Sequence, residues 1–98
     1  MLKGYKISKH IFEDREERIV KIGSTIGFGE IIKEVPYTKS NATILLTDTG
    51  VAYIVDKKSK FVITVYTATI DEVTLIYEGN VPNYLKKRVL KNMQMNWN

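Results

Sequence analysis

The chain has 98 residues, a formal net charge of +4, 44% hydrophobic and 27% charged side chains, which suits a single compact domain over 1–98 and excludes collagen-like, low-complexity and acidic disordered chains. It has no cysteine and one histidine, so disulfides, thiolate metal sites, iron–sulfur clusters and cysteine nucleophiles are excluded, and neither a metal nor any other cofactor is expected. No apolar run approaches the ~18 residues of a spanning helix and the N-terminus carries no signal-type apolar region, which predicts a cytoplasmic protein with no membrane partner.

In chain order, Ser8 offers an N-cap, and Glu13, Asp14, Glu16 and Glu17 follow early enough for the helix dipole to favour them. A first helix is expected from about Lys9 to Ile22, with Ile11, Phe12, Ile19 and Ile22 on its apolar arc, Arg15 within that arc and Arg18 at its edge. Gly23, Gly27 and Gly29 then punctuate the chain. Phe28, Ile31, Ile32 and Val35 recur at i, i+3, i+4 and i+7, the spacing of a short second helix ended by Pro36, although the same β-branched residues suit a strand.

From Ala42 onward β-branched runs broken by turn residues predict strands near 42–47, 51–55 and 61–67, joined by Asp48-Thr49-Gly50 and Lys57-Lys58-Ser59-Lys60. In the last strand Phe61, Ile63 and Val65 are expected to point inward, opposite Val62, Thr64 and Tyr66. Thr69-Ile70-Asp71-Glu72 matches a capping box and Gly79 a C-cap, which predicts a helix from Ile70 to about Glu78. After Pro82 comes a basic helix with Leu85, Val89, Leu90 and Met93 on one arc. The expected architecture is α+β: N-terminal helices packed on a three-stranded, or four-stranded, antiparallel meander, followed by one or two C-terminal helices.

Charge is unevenly placed. Residues 1–39 sum to +2, 40–79 to −2 and 80–98 to +4. Lys87, Arg88 and Lys91 form a cationic face on the last helix, and Lys86, inside the apolar arc, has to snorkel. Such a face suits RNA, another nucleic acid or an acidic protein, and equally a plain solvated surface.

His10 is the one side chain with an ordinary pKa near neutrality, with Asp14 at i+4 and Glu17 at i+7. Arg15 in an apolar arc needs a partner, either an acid such as Glu34 or Asp71 or a ligand phosphate. Thr64 and Tyr66, with Tyr53 alongside, could bond phosphates and stack bases from an open sheet face, and are equally good strand formers. The run Gly23-Ser24-Thr25-Ile26-Gly27-Phe28-Gly29 is rich enough in glycine to approach a phosphate at a helix start, but lacks the Gly-Lys-Ser/Thr of a P-loop.

Ile7-Ser8-Lys9-His10 with Glu17-Arg18, taken with Val51–Lys57 and Phe61-Val62-Ile63-Thr64-Val65-Tyr66, resembles the opening helix and closing strands of small bacterial domains related to the RelE-like toxins, in the wider barnase–EndoU–colicin–RelE superfamily. That resemblance implies helices on an antiparallel sheet and metal-independent RNA cleavage in active members, with His10, Arg18, Thr64 and Tyr66 as the catalytic set. In an enzyme of this kind the chemistry of the residues would also have Arg15 join Arg18 in stabilising the phosphorane charge, and Tyr53 and Tyr66 hold bases. Asp14 stands where that helix commonly offers Arg. In general character the chain also resembles short phage proteins of Gram-positive hosts, which often bind and inhibit a host component. Two functions are therefore expected as alternatives. One is a small basic binding or inhibitor module, docking on a host protein or RNA through Arg15, Tyr53, Lys87, Arg88 and Lys91; the other is a metal-independent endoribonuclease. Convergence of His10 and Arg15/Arg18 with Thr64 or Tyr66 in one cleft distinguishes them.

Overall fold

The stretches Ala42–Leu46 and Val51–Val55 are apolar at nearly every position. A strand of that kind is stable only where both faces of its sheet are covered. The structure, a computed structural model, describes residues 2–7, 9–95 and 97, with the backbone alone for residues 10 and 12–15. Its elements are β1 (Lys6–Ile7), α1 (Lys9–Thr25), β2 (Ile31–Tyr37), β3 (Ala42–Thr47), β4 (Val51–Asp56), β5 (Phe61–Thr67), α2 (Ile70–Ile76) and α3 (Asn83–Met93). They form one mixed sheet in the order β1-β5-β4-β3-β2, antiparallel from β2 to β5, with β1 parallel to β5.

This overturns the expected three- or four-stranded antiparallel meander. The sheet has five strands and is mixed, and one long helix, set between β1 and β2, stands where two were expected. The segment 28–35 accounts for most of the difference. Ile31, Ile32 and Val35 favour extended backbone, and pairing with β3 satisfies that strand's second edge, so the segment becomes β2 instead of a helix. Pro36, expected to terminate a helix, sits within β2 opposite Thr43, which an edge strand tolerates.

The two faces of the sheet carry separate cores. Ile11, Ile19 and Ile22 of α1 pack on Leu45, Val51, Tyr53, Val55, Val62 and Val65. Val73 of α2 and Leu85 and Val89 of α3 pack on Ile44, Leu46, Ala52 and Ile54 from the other side. In β5 simple alternation fails: Ile54 pairs with Thr64 but Val55 with Val62, so Ile63 is an extra, bulged residue. Val62 and Val65 consequently share the α1 face, while Phe61 and Ile63, expected inward, are 41% and 49% exposed.

Helix ends follow local hydrogen bonding. α1 runs three residues past its expected end and closes with the Ile26 and Gly27 amides on the Ile22 carbonyl at 3.1 and 2.8 Å. In α2 the Glu72 amide donates to the Thr69 hydroxyl at 3.2 Å, as the capping box predicts, but the helix stops at Ile76, because Glu78 and Gly79 take positive φ and the Gly79 amide returns to the Thr74 carbonyl. α3 matches its expected span, yet its buried side chains are Leu85, Val89 and Asn92, with Leu90 and Met93 exposed. Asn92 Nδ2 donates to the Thr49 carbonyl at 2.9 Å, which is why a polar residue occupies the inner face. Trp97 packs against the first core and donates to the Asn92 carbonyl at 2.8 Å. The expected Ser8 cap lies outside the described residues. No described helix is long and apolar enough to cross a membrane.

The bulge makes a direct prediction. Val62→Ala is expected to cost about 1.5–3 kcal/mol in chemical denaturation, since it removes two buried methyl groups and leaves a void, whereas Ile63→Thr, on the exposed bulge, should change stability by no more than about 0.5 kcal/mol.

Candidate docking cleft

α2 has seven residues, a length of about 10 Å at 1.5 Å per residue. α3 sits over the β3–β4 turn, so close that a Cβ on Gly50 would lie 3.2 Å from Val89 Cγ2 and 2.9 Å from Asn92 Nδ2. Together these short helices leave part of the second sheet face without a lid. The opening is a cleft of about 970 Å³ between α2 and the β2–β3 hairpin, within the size range of natural ligand sites. Ile44 and Ile54 lie along it, with Val35, Pro36, Tyr37, Thr38 and Lys39 on the hairpin side and Glu72, Leu75, Ile76 and Glu78 on the α2 side.

Its main polar feature is internally satisfied. Tyr66 donates to Glu72 Oε2 at 2.5 Å, and burial together with that carboxylate holds the phenol well above its ordinary pKa. Tyr66 is thus a neutral donor across the physiological range, fixed against α2. At the rim Lys39 stands on one wall and Glu72 and Glu78 on the other. Leu75 is 81% exposed on the α2 wall, a large apolar side chain with no cover. Lys33 Nζ lies 5.1 Å from the Tyr77 ring centre and ties β2 to the end of α2.

The residues singled out from sequence are dispersed. Thr64 pairs with Ile54 and Tyr66 with Ala52, which places both on the α2/α3 face. Arg18 belongs to α1, on the opposite face. The sheet therefore separates Arg18 from Thr64 and Tyr66. The side chains of His10 and Arg15 lie outside the described residues. Glu34, one expected partner of Arg15, is paired with Lys57 Nζ at 2.8 Å, and Asp71 lies on α2, across the sheet from α1. Tyr53, expected to stack a base, is 2% exposed in the α1 core, and burial pushes its phenol up to about 12. The glycine-rich joint opens no helix: Gly27 and Gly29 instead lead from α1 into β2 with positive φ. Among the described residues no three His, Asp or Glu side chains gather as a metal would require.

On α3, Lys86, Lys87 and Lys91 are exposed, whereas Arg88 is engaged. Its Nη1 donates to the Asp48 carbonyl at 2.8 Å, and its guanidinium lies 5.6 Å from the Tyr84 ring centre. The cationic face is thus Lys87 and Lys91 beside a structural arginine, with Lys86 exposed on the other flank of the helix. Sequence reasoning missed the cleft residues on the hairpin and α2. One signal was present: Ile70, Val73, Leu75 and Ile76 spread around more of the helix than one buried stripe needs. Comparison with protein-family models, with curated proteins and with solved structures finds no match to this chain.

Two predictions follow from these placements. Replacing Lys87 and Lys91 with Gln is expected to leave the melting temperature nearly unchanged, while Arg88→Gln lowers stability by about 1 kcal/mol, or roughly 5 °C, because a half-exposed cation gives up a carbonyl bond. With Tyr53 raised from 10.0 to about 12, the unfolded chain loses its tyrosyl proton first. Denaturation should then show stability unaffected by this group below about pH 10 and declining between about pH 10 and 12.

Proposed function

We propose that this chain is a binding module with no chemistry of its own, and that its working surface is the cleft between α2 and the β2–β3 hairpin, which receives apolar side chains of a protein partner. The supporting observation is an apolar cleft of about 970 Å³ beside a leucine that is 81% exposed. An exposed leucine continuous with an apolar cleft gives a partner apolar surface to bury. The polar groups there suit recognition more than reaction, since the Tyr66 hydroxyl is spent on Glu72 and held in its neutral form, a donor rather than a nucleophile. Strand addition is a poorer fit to the neighbouring edge, because β2 carries Pro36 and a register shift between Ile31 and Lys33, both of which blunt an edge. The partner is therefore held by side chains entering the cleft. Separation of Arg18 from Thr64 and Tyr66 by the sheet gives the ribonuclease alternative no supporting geometry.

The test is chemical-shift mapping on isotopically labelled protein with two probes, anilinonaphthalene sulfonate and a single-stranded oligouridylate. Dye-induced shifts at Tyr37, Ile44, Ile54 and Leu75 are expected, with no response to RNA. Shifts at Lys87 and Lys91 with RNA, and none in the cleft with dye, would transfer the function to α3.

A further inference from the structure

We infer that the occupant of the cleft is a second copy of this chain, joined by a two-fold axis that places Leu75 of each copy in the cleft of the other. This rests on the cleft being a docking surface and names its partner. A two-fold interface needs one patch to carry both halves of the fit. Leu75, 81% exposed, stands on the wall of the very cleft whose apolar floor is formed by Ile44 and Ile54. Knob and hole therefore lie on one face.

Charge is arranged in the same sense. The hairpin wall carries Lys39 and the α2 wall Glu78. Both are exposed, and neither has an ion pair among the described residues. A two-fold axis running along the cleft lays the α2 wall of one copy against the hairpin wall of the other, so the wall with Lys39 faces the wall with Glu78 twice across the interface. A two-fold axis running across the cleft would lay like wall on like wall, acid against acid and lysine against lysine, and is disfavoured. The cleft has twelve lining residues, fewer than the roughly 20–30 a side of a standard stable interface, so the dimer is reversible and falls apart on dilution.

Sedimentation equilibrium from about 5 μM to about 500 μM protein tests this directly. A concentration-dependent dimer is expected. Leu75→Glu should weaken it at least about tenfold with unchanged circular dichroism, because the side chain is exposed in the single copy. Lys39→Glu or Glu78→Lys alone should weaken it by about three- to tenfold, and the double variant Lys39→Glu/Glu78→Lys should return to within about threefold of the original, with higher salt eroding the difference. A dimer that survives Leu75→Glu, or a double variant that is no better than the singles, overturns the arrangement. A monomer at every concentration whose cleft still binds anilinonaphthalene sulfonate at about 5 μM overturns the second copy but leaves the cleft as a binding site. A monomer whose cleft binds no dye overturns both.

Discussion

Two adjacent strands with no polar face control this fold. β3 and β4 bury Leu45, Val51, Tyr53 and Val55 on one side and Ile44, Leu46, Ala52 and Ile54 on the other. One layer of helix cannot shield both sets, and each aliphatic side chain left in water would forfeit roughly 1.5–3 kcal/mol of burial. The chain therefore places α1 between β1 and β2, and α2 and α3 after β5, on opposite faces. β2 and β5 flank the pair and satisfy the backbone groups that two central strands cannot leave unpaired.

Three layers need a common fastening, and the β3–β4 turn supplies it. Asp48 Oδ1 accepts the Glu30 amide at 2.9 Å, and the Asp48 amide returns to the Glu30 carbonyl at 2.9 Å. The Thr49 hydroxyl donates to the Gly27 carbonyl at 2.9 Å, at the exit of α1. From the other face Arg88 and Asn92 of α3 reach the carbonyls of Asp48 and Thr49. One short turn thus touches the end of α1, the start of β2 and the inner face of α3. Gly29 is required by the same crowding: its φ is +74°, and a Cβ there would run into Asp48 Oδ1 and Thr49 Oγ1.

Sequence reasoning recovered elements whose signals are local and lost those set by tertiary context. β3, β4, β5 and α3 were readable because β-branched runs, hairpin turns and a proline-started amphipathic segment each specify their own conformation. β2 was ambiguous because Ile31, Ile32 and Val35 satisfy both periods, and the unpaired edge of β3 decides between them. β1 has two residues, too few for any period. The exposed bulge at Ile63 inverted the expected faces of Phe61 and Ile63, since one extra residue reverses alternation on one side of itself. Tyr66 lines a cleft made with α2 and not with α1, a neighbourhood that only the chain's course across the sheet decides. Arg88 reads as one more cation until the turn it holds is known.

The cleft itself is a consequence of how α2 ends. Had the helix continued to Glu78, its last turn would have carried apolar cover further along the sheet. Instead Glu78 and Gly79 adopt positive φ, the Gly79 amide caps the Thr74 carbonyl, and the chain turns back to Pro82 and α3. Lys33 against Tyr77 and Tyr66 against Glu72 then hold the truncated helix in place from β2 and from β5. The wall is thus tied to two strands of the sheet while Leu75 stays bare. A surface braced in this way loses little conformational entropy when something docks on it, which is the physical condition under which a small apolar patch can act as a binding site.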